Sequence, residues 1–126
     1  MAHKILVIDD DKGTVEVIKN ILVGQNYQVV IAYDGKEGLE AVAEEKPDLI
    51  VLDVMMPVMN GHETCARLKD NKDTANIPII LLTAVADRVT TSTYTHRDML
   101  ESEAEDYMPK PVEPAELLEL IKSWLK

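Results

Sequence analysis

Three consecutive aspartates, Asp9, Asp10 and Asp11, close the apolar run 5–8, and Asp53 closes a second run, 49–52. Crowded carboxylates repel and raise one another's pKa, so such a cluster calls for a cation. If the two runs are neighbours in one sheet, the four side chains meet at a single edge. The chemistry open to them is a divalent-metal site with a spare carboxylate, and Asp53 is that carboxylate. Thr83 and Lys110 also follow strand-like runs directly. Each residue has a plainer reading when taken alone. Asp9–Asp11 could cap a helix, since Asp is favoured there. Asp53 could end a strand in a turn.

The elements that would position these groups alternate along the chain. Residues 4–8 are apolar and β-branched, and 14–23 carries Val15, Ile18, Leu22 and Val23 at helical spacing. Gly24 and Asn26 can supply a left-handed helix end. Residues 27–32 predict a second strand. Asp34-Gly35 starts a helix through Leu39, Val42 and Ala43, stopped at Lys46-Pro47. Residues 48–52 are apolar without alternation, as in a strand buried on both faces. Pro57 and Gly61 bracket a loop, and a helix over 63–69 follows. A fourth strand is expected over 77–82, with Pro78 early enough to be tolerated. Segment 84–99 is rich in Thr and Ser, which compete for backbone groups and weaken a helix. Residues 100–104 could end a helix. Tyr107-Met108 reads as a short fifth strand. Pro114 suits the first turn of a last helix carrying Leu117, Leu118, Ile121, Trp124 and Leu125.

Strands alternating with helices in this way predict a parallel sheet covered on both faces, with right-handed crossovers. Sites in such sheets lie beyond the carboxyl ends of the strands, at the switch point. That rule gathers Asp9–Asp11, Asp53, Thr83 and Lys110 on one edge.

The 126 residues fit one domain, 1–126, long enough to bury a core. A formal charge of −10 argues against nucleic-acid or anionic-membrane binding by this domain. The lone Cys65 reads as a small packed residue. No signal-peptide pattern and no apolar run of spanning length occur in the sequence, so a cytoplasmic location is expected. His3, His62 and His96 lack metal-ligand spacing. Trp124 is expected to cover the end of the core.

Four ordered motifs carry a resemblance. They are Ile8-Asp9-Asp10-Asp11, Leu52-Asp53-Val54-Met55-Met56-Pro57-Val58-Met59-Asn60-Gly61, Leu82-Thr83-Ala84 and Tyr107-Met108-Pro109-Lys110-Pro111. Over nearly its whole length the chain resembles the receiver domains of two-component response regulators. The resemblance implies an α/β, flavodoxin-like, doubly wound sheet of five parallel strands in order 2-1-3-4-5, with helices on both faces. It implies a phosphoacceptor at Asp53 and Mg²⁺ held by Asp9, Asp10, Asp53 and the backbone carbonyl of Met55. It gives Lys110 the role of the family's lysine, usually followed by a cis bond to proline. Thr83 and Tyr107 match the switch pair, although Tyr107 alone would read as a packed strand residue.

The implied function is to take a phosphoryl group from a histidine kinase or histidine phosphotransfer protein. The implied output face is the fourth helix, fifth strand and fifth helix. It would bind a downstream protein target or form a phosphorylation-dependent dimer. The domain would not be an enzyme in the ordinary sense, though it assists its own phosphorylation and dephosphorylation.

Three rival readings compete with this one. A haloacid-dehalogenase-type phosphatase would use Asp9 as nucleophile, but Lys12 breaks the spacing of its signature. A flavodoxin needs a hydroxyl- and glycine-rich loop where this chain is acidic. A phosphorylation-independent docking module would not require the full residue set. The chain also departs from the family. Thr83 to Lys110 is longer by roughly one and a half helical turns, with the excess in 87–99. Glu103 replaces the usual glycine, and Pro109 precedes Lys110. Met55 and Val85 are apolar at positions that govern the attacking water, so slow self-dephosphorylation is expected.

Overall fold

The β-branched, apolar run Lys4–Ile8 forms an inner strand whose residues beyond Lys4 are all buried. A computed structural model describes residues 3–56, 60–84 and 104–125. In chain order the elements are β1 (Lys4–Ile8), α1 (Lys12–Val23), β2 (Gln28–Ala32), α2 (Gly35–Glu45) and β3 (Leu49–Asp53). They continue with α3 (Gly61–Asp70), β4 (Ile79–Ala84), β5 (Asp106–Lys110) and α4 (Pro114–Trp124). All strand pairs are parallel, in the order β2-β1-β3-β4-β5. This is the expected flavodoxin-like topology. The segment 87–99, Val85, Glu103, His96 and Pro57 to Met59 lie outside the described residues.

Strand alternation divides the core in two. Ile5, Val7, Leu49, Val51, Ile80, Leu82 and Met108 face α1 and α4, where they meet Val15, Ile18, Leu117 and Ile121. Leu6, Ile8, Ile50, Leu52, Ile79 and Leu81 face α2 and α3, where they meet Val42, Cys65 and Leu68. Because β1 and β3 are buried on both sides, they lack polar alternation. Cys65 is a packed core residue.

Side-chain caps set the helix starts. Asp11 accepts the Gly13 N–H (3.2 Å) and the Thr14 hydroxyl (2.6 Å) ahead of α1. Asp34 accepts the Glu37 N–H, and Glu37 returns the favour to the Tyr33 N–H. Asn60 accepts the Glu63 N–H ahead of α3. Pro114 opens α4 without a side-chain cap. Of the two residues expected to turn the chain after α1, only Asn26 is left-handed (φ 68). Gly24 stays helical (φ −62).

Three local expectations shift. β4 begins at Ile79 rather than residue 77, since Pro78 has no N–H to donate and instead offers its carbonyl to Ile50. β5 is longer than Tyr107-Met108 and includes Pro109. As an edge strand it tolerates the missing donor. Trp124 remains 40% exposed, because its indole N–H reaches out to the Asp106 carboxylate at 3.2 Å. Beneath β5, the nearly buried Lys69 ammonium binds the Ala75 and Ile77 carbonyls and Glu105 (2.7 Å). That contact ties the end of α3 to the entry of β5.

Candidate functional site

Register brings the acidic groups together. Side chains alternate along strands, so Asp9 continues the face of Ile5 and Val7, Asp53 that of Leu49 and Val51, and Lys110 that of Met108. All three fall on the α1–α4 side of the carboxyl edge. The ladder continues past β1, where the Asp9 N–H donates to the Ala32 carbonyl (3.1 Å). Lys110 Nζ lies 3.1 Å from Asp9 Oδ2 and 3.2 Å from Asp53 Oδ1. Asp9 and Asp53 are buried, whereas Asp10 is exposed.

Asp9 Oδ1 accepts the Asp11 N–H at 2.9 Å, and Asp53 Oδ1 accepts the Met55 N–H at 3.3 Å. Asp9 Oδ2 is buried and receives no well-directed hydrogen bond, so its stabilisation rests on the nearby ammonium charge. One oxygen each from Asp9, Asp10 and Asp53 lies within 4.8 Å of the others. An under-satisfied buried oxygen beside two further carboxylates is a fitting donor set for a small, hard divalent cation.

Thr83 is buried and pairs with Pro109, and Tyr107 pairs with Leu81. By alternation Thr83 shares the α2–α3 face with Leu81, and Tyr107 packs half-buried against the same cluster. The two expected switch residues therefore share one face, diagonal to each other across β4 and β5. The Met55 side chain is 54% exposed. Asp11 stays out of the cluster as the α1 cap. The Lys110–Pro111 bond is cis, as the resemblance implied.

Gly61, which in the sequence only closes a loop and the second motif, also supports the site. A Cβ there would overlap the Asp53 carbonyl oxygen and lie 2.6 Å from Val54 Cα. The first turn of α3 thus rests directly on the backbone that carries Asp53. Its signal was the Asn-Gly pair at the helix start, which reads as a cap but conceals the close approach.

Burial pushes the Asp53 carboxyl up to about 6, the Asp9 charge adds to the rise, and Lys110 opposes it. Burial alone would lower Lys110, but the Asp53 and Asp9 charges outweigh it and raise the ammonium pKa. A raised carboxyl pKa means that the folded state holds a proton the unfolded chain has released. Stability from this group therefore falls as pH rises from 3.8 to about 6, and the penalty persists above. In metal-free buffer, Asp53→Asn is expected to flatten that slope. It should gain about 1 kcal/mol at neutral pH, after discounting for the lost Lys110 contact and solvent screening. Urea midpoints across pH check this; a slope unchanged in the variant would contradict it.

A five-stranded doubly wound sheet with a carboxylate cluster and a lysine at its switch-point edge defines the receiver class of α/β fold. The response regulator receiver domain model matches residues 5–122, and the chain belongs to that family. It is 40% identical over 129 aligned residues to Response regulator MprA of Mycobacterium ulcerans (strain Agy99), covering 100% of this chain and 51% of that protein. The chain spans about half the length of the curated relatives it matches.

Among solved structures it is similar to the signal receiver domain of a signal transduction histidine kinase from Syntrophus aciditrophicus. The TM-score is 0.90 at 34% identity, over 98% of this chain and 90% of that one. It is also similar to the receiver domain of sensor histidine kinase PA1611 from Pseudomonas aeruginosa PAO1, solved with a magnesium ion coordinated in the active site cleft. There the TM-score is 0.87 at 25% identity, over 99% of this chain and 98% of that one. The chain is thus a receiver domain of the two-component response regulator family, and the phosphatase and flavin readings fall away. Among the described residues no helix is long and apolar enough to cross a membrane.

Proposed function

We propose that Asp53 accepts a phosphoryl group from a phosphohistidine of a kinase or phosphotransfer protein. Asp9, Asp10 and Asp53, with the Met55 backbone carbonyl, would hold Mg²⁺. The observation that carries the reading is the convergence of Lys110 on Asp9 and Asp53 beside the exposed Asp10. The magnesium-bearing PA1611 receiver domain supports the choice of ion.

Bound there, Mg²⁺ supplies positive charge and a ligand position to phosphoryl oxygens. Asp53 attacks in its ionised form. A P–O bond to the carboxylate forms as the donor P–N bond breaks, and the departing imidazole keeps the electron pair and takes a proton. Lys110 sits against the attacking carboxylate and neutralises charge on the equatorial oxygens. A cleft of about 650 Å³ opens beside Lys110, lined by Thr14, Val17, Ile18, Pro111 and Val112 among others. Val17 is 52% exposed at its edge, which gives the donor protein an apolar footing within reach of Asp53.

Once formed, the acyl phosphate draws the Thr83 hydroxyl, and Tyr107 rearranges on the same face. The equilibrium shifts by the difference in contact between two arrangements. β5 and the last helix, α4, belong to the output face, met by a downstream protein or a second copy. Residues 1–126 act as one receiver domain in the cytoplasm, without contact to nucleic acid or membrane. The domain assists its own dephosphorylation only slowly.

The test is intact-mass analysis after treatment with a small phosphodonor. Wild type with Mg²⁺ is expected to gain one phosphoryl group. Wild type with chelator and Asp53→Asn are expected to gain none. An adduct persisting in Asp53→Asn would overturn the assignment.

A further inference from the structure

The flank of α4 beside β5 carries Glu116, Glu119, Leu120 and Ser123, at the i, i+3, i+4, i+7 spacing of one helical stripe. Between this stripe and β5 lies a groove of about 420 Å³, walled on the strand side by Tyr107 and Pro109. Its apolar part is anchored in the core: Leu120 packs against the α1–α4 cluster and Tyr107 against the α2–α3 cluster. Its helix wall is acidic, and Glu116 and Glu119 are both exposed. Among the described residues no cation lines the groove, and neither glutamate forms an ion pair. The helix macrodipole favours Glu116 in the first turn of α4, but it does not account for Glu119 one turn on. Trp124 closes one end, since its N–H joins the residue after Ser123 to Asp106, the residue before Tyr107. That leaves an indole 40% exposed and held in place.

We propose that this groove receives a cationic, amphipathic helical segment of the downstream protein. One apolar side chain enters between Tyr107, Pro109 and Leu120. Flanking arginines or lysines meet Glu116 and Glu119, and an arginine stacks on Trp124. This rests on the reading of β5 and α4 as the output face, and it names the chemistry of the partner. From Glu116 to Ser123 the stripe rises about 10 Å, two helical turns, so a short helix spans it. Charge also decides between the two occupants of that face. In a two-fold dimer built on this groove, both copies contribute the same stripe. Glu116 and Glu119 of each copy would then face their counterparts, on a chain whose formal charge is already −10. Like charges set across an interface count against the pairing, whereas the same field draws a cationic partner in.

The experiment uses the whole chain and reads the fluorescence of its single tryptophan, Trp124. Three short helical peptides without tryptophan are titrated. The first carries a stripe of leucines flanked by arginines, the second has glutamine at every arginine, and the third has serine at every leucine. The first is expected to bind at least about tenfold more tightly than either control. Glu116→Gln/Glu119→Gln should weaken it by about threefold to thirtyfold. Glu40→Gln/Glu44→Gln, an equal change of charge at exposed positions of α2, should weaken it by less than about twofold. Phosphorylation with acetyl phosphate and Mg²⁺ should tighten binding. Absence of binding, equal binding of all three peptides, or equal losses in the two double variants overturns the cationic docking site. Phosphorylation-dependent dimers that exclude the peptide, seen by sedimentation, overturn it in favour of a second copy. An affinity that depends on Glu116 and Glu119 but ignores phosphorylation supports the docking site and overturns the output-face reading instead.

Discussion

Replacing Lys110 by methionine is expected to slow phosphorylation of Asp53 by about 100-fold to 1000-fold, the usual loss when one preorganised charge is removed from a transition state. Methionine keeps much of the unbranched stem and removes only the ammonium. That ammonium is 3.1 Å from Asp9 and 3.2 Å from Asp53, so its loss strands two buried carboxylates. A stability loss of about 1–3 kcal/mol should accompany the slow reaction, below the full penalty for a deeply buried pair because Lys110 is partly exposed. Mg²⁺ should recover part of that stability by binding the folded state alone. Phosphoryl incorporation over time and urea midpoints with and without Mg²⁺ check the pair. A rate within a factor of a few of wild type would contradict the role given to Lys110.

The second large effect is expected at a residue without functional atoms. Gly61→Ala places a methyl group against the backbone of Asp53 and Val54, 2.6 Å from Val54 Cα. Backbone cannot swing aside as a flexible side chain can. By contrast, a Cβ at Gly38 would meet the Ile8 side chain, at 2.5 Å from its tip. The Gly61 variant must either lift the start of α3 or displace the end of β3, at a cost of about 2–3 kcal/mol. The same movement shifts Asp53 relative to Lys110, so phosphorylation should fall along with the melting temperature. Gly38→Ala should lose less stability and keep its phosphorylation rate. If Gly61→Ala were as stable and as reactive as wild type, the tight contact would not govern the site.

Much of this site was legible in the residues. The runs before Asp9 and Asp53 are apolar and unbroken because both strands are buried on both faces. Sheet alternation then carries Asp9, Asp53 and Lys110 to one side of one edge. Of the three aspartates that could cap a helix, Asp11 is the cap, and it accepts the Thr14 hydroxyl. Other features depend on pairings that no local pattern encodes. Ile77 is as apolar as Ile79, so the sequence pattern starts β4 too early, and only the ladder shows Pro78 standing outside it. Asn26 rather than Gly24 takes the left-handed turn. Lys46 does the same (φ 48) at the end of α2, since Pro47 disfavours a helical conformation before it. Trp124 looked like a core cover by its apolar bulk, but its N–H needs an acceptor and finds Asp106. Gly61 matters only because α3 begins against β3.

The most direct test of the central claim is to locate the phosphoryl group chemically. Wild-type protein is treated with a small phosphodonor and Mg²⁺, the acyl phosphate is reduced with borohydride, and the modified residue is mapped by peptide mass spectrometry. Reduction to homoserine at position 53, and at no other aspartate, is the expected result. Reduction at Asp9 or Asp10 with Asp53 untouched would contradict the account.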